Sequence, residues 1–160
     1  MKITKQMIFS NKNIEILQAL PIFGGISARA LQYLLDRSQT CEVEKNQYFF
    51  HEGDDANSLY ILEEGRVDIF KIHNGKEFFL RQLDKGACFG EVALMDLMPR
   101  SATVRACEDS RAIVLPHTAL YDLYQIDLEQ FTMIQMNMGR EVSRSLRKAD
   151  EHLFDVLKLK

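Results

Sequence analysis

Nowhere in this sequence does an apolar run approach the roughly 18 residues that a membrane-crossing helix needs, so no spanning segment is expected. The first ten residues, Met1 to Ser10, carry lysines but no unbroken apolar stretch of signal-peptide length. Cysteine is scarce: Cys41, Cys88 and Cys107 are odd in number, far apart and in no C-x-x-C pair. That argues against a disulfide framework and a zinc site. It also argues against an iron–sulphur cluster, which needs about four suitably clustered cysteines. Free buried thiols in a reducing cytoplasm are the simpler reading. Basic charge is not in excess: the net charge is −3, unlike the basic face of a nucleic-acid binder. Internal repeats, low-complexity tracts, nucleophile–base pairs and clusters of metal ligands are all missing, so neither a solenoid nor an enzyme is expected. His51, His73, His117 and His152 are isolated, and lone histidines are far more often surface groups than haem ligands. Met133, Met136 and Met138 read as helix packing rather than a copper site. These absences leave a cytoplasmic binding or interaction module with no metal and no resident cofactor.

What is present supports one packed domain. The chain has 160 residues, 46 % hydrophobic and 27 % charged, which favours a real core over disorder. Three zones follow one another. Residues 1–39 have helical spacing: Asn13 to Leu20 is a short helix stopped by Pro21, and Ser27 is placed to cap a helix with Ala28, Leu31, Leu34 and Leu35 on one face. Residues 40–116 alternate short apolar runs with turn signals. The runs are Tyr48–Phe50, Leu59–Leu62, Val67–Ile72, Phe78–Leu80, Ala102–Val104 and Ala112–Leu115. The turns fall at Gly53-Asp54, Glu64-Gly65, Asn74-Gly75 and Lys85-Gly86. Asn74-Gly75 predicts a two-residue hairpin, because both central residues of that turn need positive φ. Strands spaced in this way suggest a barrel or sandwich. Residues 117–160 contain no proline and one glycine, Gly139; Met138, Val142, Leu146, Ala149, Leu153 and Val156 form an apolar seam of near-heptad period on a long helix.

The chemistry concentrates between Phe89 and Ala106. Gly90 opens a short run of helix formers, Glu91 to Met95, and a helix start behind a glycine offers free backbone N–H groups to an anion. Arg100 follows ten residues after Gly90 and is fixed by Pro99, so its planar fork can close over the same anion. Glu91 sits among apolar neighbours and needs a partner there, such as a sugar hydroxyl or an arginine.

The full string from Phe89 to Ala106 closely resembles the phosphate-binding cassette of the cyclic-nucleotide-binding family, F-G-E-[LIV]-A-L, a spacer, then P-R-[AST]-A-[ST]-[VA]-x-A. Glu52-Gly53-Asp54, Leu59–Leu62 and Glu64–Val67 resemble the family's first hairpins, and Leu20–Phe23 with Leu31, Leu34 and Leu35 its helical lead. The likeness spans about residues 12 to 158 and extends to protein kinase A regulatory subunits and to the sensor half of the bacterial catabolite activator. It implies an eight-stranded antiparallel jelly roll, mainly β, with N-terminal helices and a long C-terminal helix. It implies roles as well. Arg100 would pair with a cyclic phosphate, and Gly90, Glu91, Val92 and Ala93 would offer backbone contacts. Glu91 would accept from the ribose 2′-hydroxyl, and Ser101 would add a hydroxyl next to Ala102. Leu80 and Arg81 would lie beside the base. Aligned on Arg144-Ser145-Leu146, the positions that reach adenine in the activator fall here on Ala149 and Asp150, so the cap departs from that pattern; Asp150 can accept from an adenine amine and Ala149 cannot bond.

The expected ligand is cAMP, with cGMP as the less favoured alternative, since Ser101 does not decide between them. The resemblance further implies a homodimer through the C-terminal seam and a downstream protein partner. DNA binding is not expected: the sequence ends shortly after the long helix, and Gly139 to Lys160 has six basic residues against four acidic, an ordinary solvated face. A competing expectation is a jelly roll that has lost its ligand and serves only as a scaffold.

Overall fold

A computed structural model describes residues 2–4 and 11–159. Met1 to Ser10, where no leader is expected, lie largely outside the described residues. Two antiparallel sheets face each other. The strands are β1 (Lys2–Thr4), β2 (Gln39–Val43), β3 (Tyr48–Phe50), β4 (Ser58–Glu64), β5 (Arg66–His73), β6 (Lys76–Asp84), β7 (Cys88–Phe89), β8 (Thr103–Ala106) and β9 (Ser110–Pro116). One sheet has the order β1-β2-β9-β4-β7 and the other β3-β8-β5-β6. Strands β2 to β9 are the eight of a jelly roll, mainly β as the sequence implies; the two sheets pack as a sandwich without closing into a continuous barrel. β1 adds a ninth strand against β2.

The apolar pattern explains the layering. β4 is a continuous apolar run because both its faces are covered. Leu59 and Ile61 face a helical layer, whereas Tyr60 and Leu62 face the opposite sheet. On β9, Ile113 and Leu115 repeat the outward set and Ala112 the inward one. The inner core is completed by Phe49, Phe50, Val67, Ile69, Phe89 and Val104. β5 and β6 are joined by Asn74-Gly75, with φ of 51° and 73°, as the hairpin expectation requires.

Helices cover the outer face of the five-stranded sheet. α1 (Asn11–Gln18) buries Ile14 and Leu17. It ends two residues before the expected Leu20, because Ala19 and Leu20 donate to Ile16 and Leu17 in a tightened last turn. Pro21 then opens a 3-10 turn, Pro21–Phe23, that buries Ile22 and Phe23. α2 (Ala28–Leu35) is capped by Ser27, whose hydroxyl accepts from the Ala30 amide at 3.1 Å. Its inward face is Ala30, Leu31, Leu34 and Leu35; Ala28, expected inward, is exposed in the first turn.

The C-terminal zone is two helices, α4 (His117–Ile126) and α5 (Leu128–Lys158). Asp127 separates them and caps α5, its carboxylate accepting from the Gln130 amide at 3.2 Å. α5 is pinned to the body at buried Asn137, whose amide donates to the carbonyls of Ile22 at 3.1 Å and Gly24 at 2.8 Å. Ile134 and Met138 share the helical core, but beyond Ser145 the helix leaves the body. Among the described residues no helix is long and apolar enough to cross a membrane.

Leu34→Ala removes a fully buried side chain of this helical layer and should cost about 2–5 kcal/mol in urea denaturation. A loss under about 1 kcal/mol would contradict the packing.

Candidate functional site

β7 delivers the chain to Gly90, whose φ of 81° only glycine adopts freely. α3 (Val92–Asp96) starts at once, so the amides at its first turn have no acceptor within the helix. Leu97, at φ 59°, ends α3 in the left-handed region, and Asp96 accepts from the Met98 amide at 3.1 Å. Pro99 and Arg100 then return the chain toward the sandwich. The Arg100 amide donates to Asp54 at 2.9 Å, and its carbonyl accepts from Gly53 at 2.9 Å, so the β3–β4 loop clamps its backbone.

The Arg100 guanidinium is driven inward and is 4 % exposed. One terminal nitrogen donates to the Gly90 carbonyl at 2.8 Å and the other to the Ser58 carbonyl at 2.7 Å. The group lies over the Phe50 ring at 4.2 Å, a cation–π contact. Its Nε is a buried side-chain donor with no hydrogen-bond partner, and no carboxylate forms an ion pair with it among the described residues. Burial lowers the Arg100 pKa, opposed by Tyr60, Asp54 and Glu91, yet an arginine keeps its charge. The result is a buried cation with neutral partners and one free N–H. Gly90 is part of the same fit: a Cβ there would meet an Arg100 nitrogen at 2.5 Å.

Glu91 is 3 % exposed at the start of α3. Burial pushes its carboxyl above the usual carboxylate range, and Glu141 adds to this; a backbone hydrogen bond, Arg81 and Arg100 pull the other way. Cys88 beside it is also pushed up, by burial and then by Glu91 and Glu141.

Phe50, Ile69, Arg81, Phe89, Gly90, Glu91, Val92, Ala93, Arg100, Ser101, Ala102 and Val104 line one cavity of about 40 Å³. The structure therefore brings together Gly90, Glu91, Val92, Ala93, Arg100, Ser101, Ala102 and, from β6, Arg81. Leu80 sits at a bulge in β6, half exposed, and does not line the cavity. Ala149 and Asp150 lie on the exposed part of α5, outside the cavity. Beyond Met138, the half-buried α5 residues are Gly139, Glu141, Val142 and Ser145. Phe50, Ile69, Phe89 and Val104 were not singled out as lining residues, because in sequence they read as core. Of the seam, Met138 is buried and Val142 half-buried, whereas Leu146, Ala149, Leu153 and Val156 are exposed. Among the described residues no group of His, Cys, Asp and Glu could hold a metal ion.

The two antiparallel sheets of a jelly roll thus hold a buried arginine against a glycine-led helix start. The sequence profile of the cyclic nucleotide-binding domain matches residues 40–127, and the chain belongs to that family. It is 28 % identical over 138 residues to the cyclic AMP receptor protein of Thermus thermophilus, covering 86 % of this chain and 62 % of that one. It is 32 % identical over 91 residues to the cAMP-dependent protein kinase regulatory subunit of Blastocladiella emersonii, covering 56 % of this chain and 23 % of that one. The chain thus spans less than two thirds of either relative. In fold it is similar to the crystal structure of a cyclic nucleotide-binding domain from Methylobacillus flagellatus, with a TM-score of 0.79 and 24 % identity, covering 89 % of this chain and 80 % of that one.

Two outcomes follow. Gly90→Ala should cost about 1–2 kcal/mol from the backbone alone, before any displacement of Arg100. Glu91→Gln should change the pH dependence of stability. With the folded pKa raised, Glu91 favours folding while protonated and loses that contribution as pH rises through its folded value. The melting temperature of Glu91→Gln relative to wild type should therefore be higher at pH well above that value than below it. A difference independent of pH, read by calorimetry, would contradict the buried placement.

Proposed function

We propose that this domain is a cyclic-nucleotide sensor whose cavity takes cAMP, and that it signals through α5. The observation that carries the reading is the buried Arg100 with a free Nε–H. A cyclic phosphate would supply the acceptor that Nε lacks and a counter-charge in direct contact with it. The first-turn amides at Val92 and Ala93 would offer further donors to the same anion. Glu91 would accept from the ribose 2′-hydroxyl, which remains free when the phosphate bridges the 3′ and 5′ oxygens. Ser101 and Ala102 would border the phosphate or base, and Arg81 the purine side. Preference for cAMP over cGMP rests on the relatives, whose names refer to cyclic AMP.

About 40 Å³ holds one or two waters rather than a nucleotide, so binding on this reading widens the cavity. Its walls include the short helix α3 and the edge strand β6. Leu94 of α3 shares its core with Ile134 and Met138 of α5, so a shift of α3 bears on that helix. A nucleotide shifts α5 only by binding one arrangement better than another.

The ligand-less scaffold is disfavoured by the same arginine. A buried charge without its partner costs stability that a scaffold has no reason to keep. A second copy is the proposed partner of distal α5: Leu146 is 61 % exposed, and Leu153, Phe154, Val156 and Leu157 are exposed beside charged residues, a pattern suited to a two-stranded helical interface. On this reading the protein is a homodimer that passes its signal to a further protein.

In calorimetry, Arg100→Ala should weaken cAMP binding at least about tenfold, since a charged hydrogen bond contributes about 1.5–3 kcal/mol. Arg100→Lys should restore it only in part, because the planar fork is lost. Binding as tight as wild type in Arg100→Ala would refute the assignment. In sedimentation, wild type should be a dimer and Leu146→Glu a monomer that still binds nucleotide, more weakly. A wild-type monomer at micromolar concentration, with and without cAMP, would remove the dimer.

A further inference from the structure

Glu91 lies between charges that the phosphate cassette alone does not include. Arg81 lines the same cavity from β6, and the register sets it opposite Ile69, which lines the cavity too. Arg81 is half-buried and makes no hydrogen bond or close ion pair among the described residues. From α5, half-buried Glu141 bears on Glu91 with like charge, while being itself paired with Arg144 one turn on. The Cys88 thiol on β7 and the Arg100 guanidinium complete the titratable and charged groups around this carboxyl.

These charges matter because of what a ribose asks of Glu91. A carboxylate is an acceptor only, at both oxygens, and its hydrogen bonds are the stronger charge-assisted kind; the neutral acid is partly a donor. Burial at 3 % exposure favours the neutral acid. Among the charged side chains, Arg81 opposes it most, ahead of Arg100.

We propose that Arg81 is a positioning residue: reaching in from β6, it holds Glu91 in the acceptor form that a ribose hydroxyl requires, with Glu141 of α5 as the opposing charge. The ribose part rests on the cyclic-nucleotide reading of the cavity; the charge relation does not.

The test starts without ligand. The carbon-13 resonance of the Glu91 carboxyl is titrated in the full chain as wild type, Arg81→Gln, Arg81→Lys and Glu141→Gln. Arg81→Gln should raise the Glu91 midpoint by about half a unit or more, Arg81→Lys should return most of it, and Glu141→Gln should lower it. An unchanged midpoint in Arg81→Gln overturns the proposal. Calorimetry with cAMP and with 2′-deoxy-cAMP at pH on either side of the Glu91 midpoint found in that titration then tests the ribose part. In Arg81→Gln the acid-side loss of cAMP affinity should begin at higher pH, whereas any change for the 2′-deoxy analogue should not depend on pH in this way. The same acid-side shift for both nucleotides would show that Arg81 does not act through the Glu91–ribose contact and would overturn the positioning role. Wild type that binds neither nucleotide would overturn the ligand reading, whatever the titration of Glu91 gives.

Discussion

The arrangement of the whole site depends on keeping one guanidinium inside a β-sandwich. Arg100 is clamped through its backbone to the β3–β4 loop, donates to the carbonyls of Gly90 and Ser58, and lies on the Phe50 ring. Each contact is with a neutral group. The charge is solvated by dipoles and a π-face rather than by a carboxylate, and one N–H is left over. Such a group costs stability in the protein alone and favours any anion that fits beside it. Gly90 is required twice for this, by its positive φ and by the lack of room for a Cβ against the arginine.

The placement of α3 connects that charge to the rest of the molecule. α3 lies between Gly90 and Arg100 in sequence, so both ends of the short helix are tied to the guanidinium. Its Leu94 is packed in the same cluster as Ile134 and Met138 of α5 and Leu120 and Leu123 of α4. Asn137 fixes α5 to the carbonyls of Ile22 and Gly24, which leaves the helix beyond Ser145 as the part without support from the body. α3 and α5 therefore meet close to the Asn137 anchor.

Much of this was legible in the sequence, for identifiable reasons. The hairpin at Asn74-Gly75 and the cap at Ser27 are local chemistry, and both are found as read. The string from Gly90 to Ala102 is compact because both halves of the anion site lie within one turn-and-return of the chain. What escaped the reading depends on tertiary registration. β2 mixes exposed Gln39 and Glu42 with buried Thr40, Cys41 and Val43 and offers no apolar run. β7 has only two residues. The bulge in β6 sends Arg81 into the cavity and leaves Leu80 out, a distinction no propensity carries. On α5 the apolar seam is continuous in sequence, but burial follows it only to about Val142, and the neighbours of Glu91 include Glu141 rather than Ala149 or Asp150.

The account stands or falls on the free N–H of Arg100. Its Nε–H resonance can be followed by nitrogen-15 correlation spectroscopy, assigned by its loss in Arg100→Lys, while cAMP is added. The account predicts a downfield shift that saturates with the nucleotide, together with shifts at the amides of Val92 and Ala93. Saturable binding that leaves the Arg100 Nε–H resonance unmoved would contradict it.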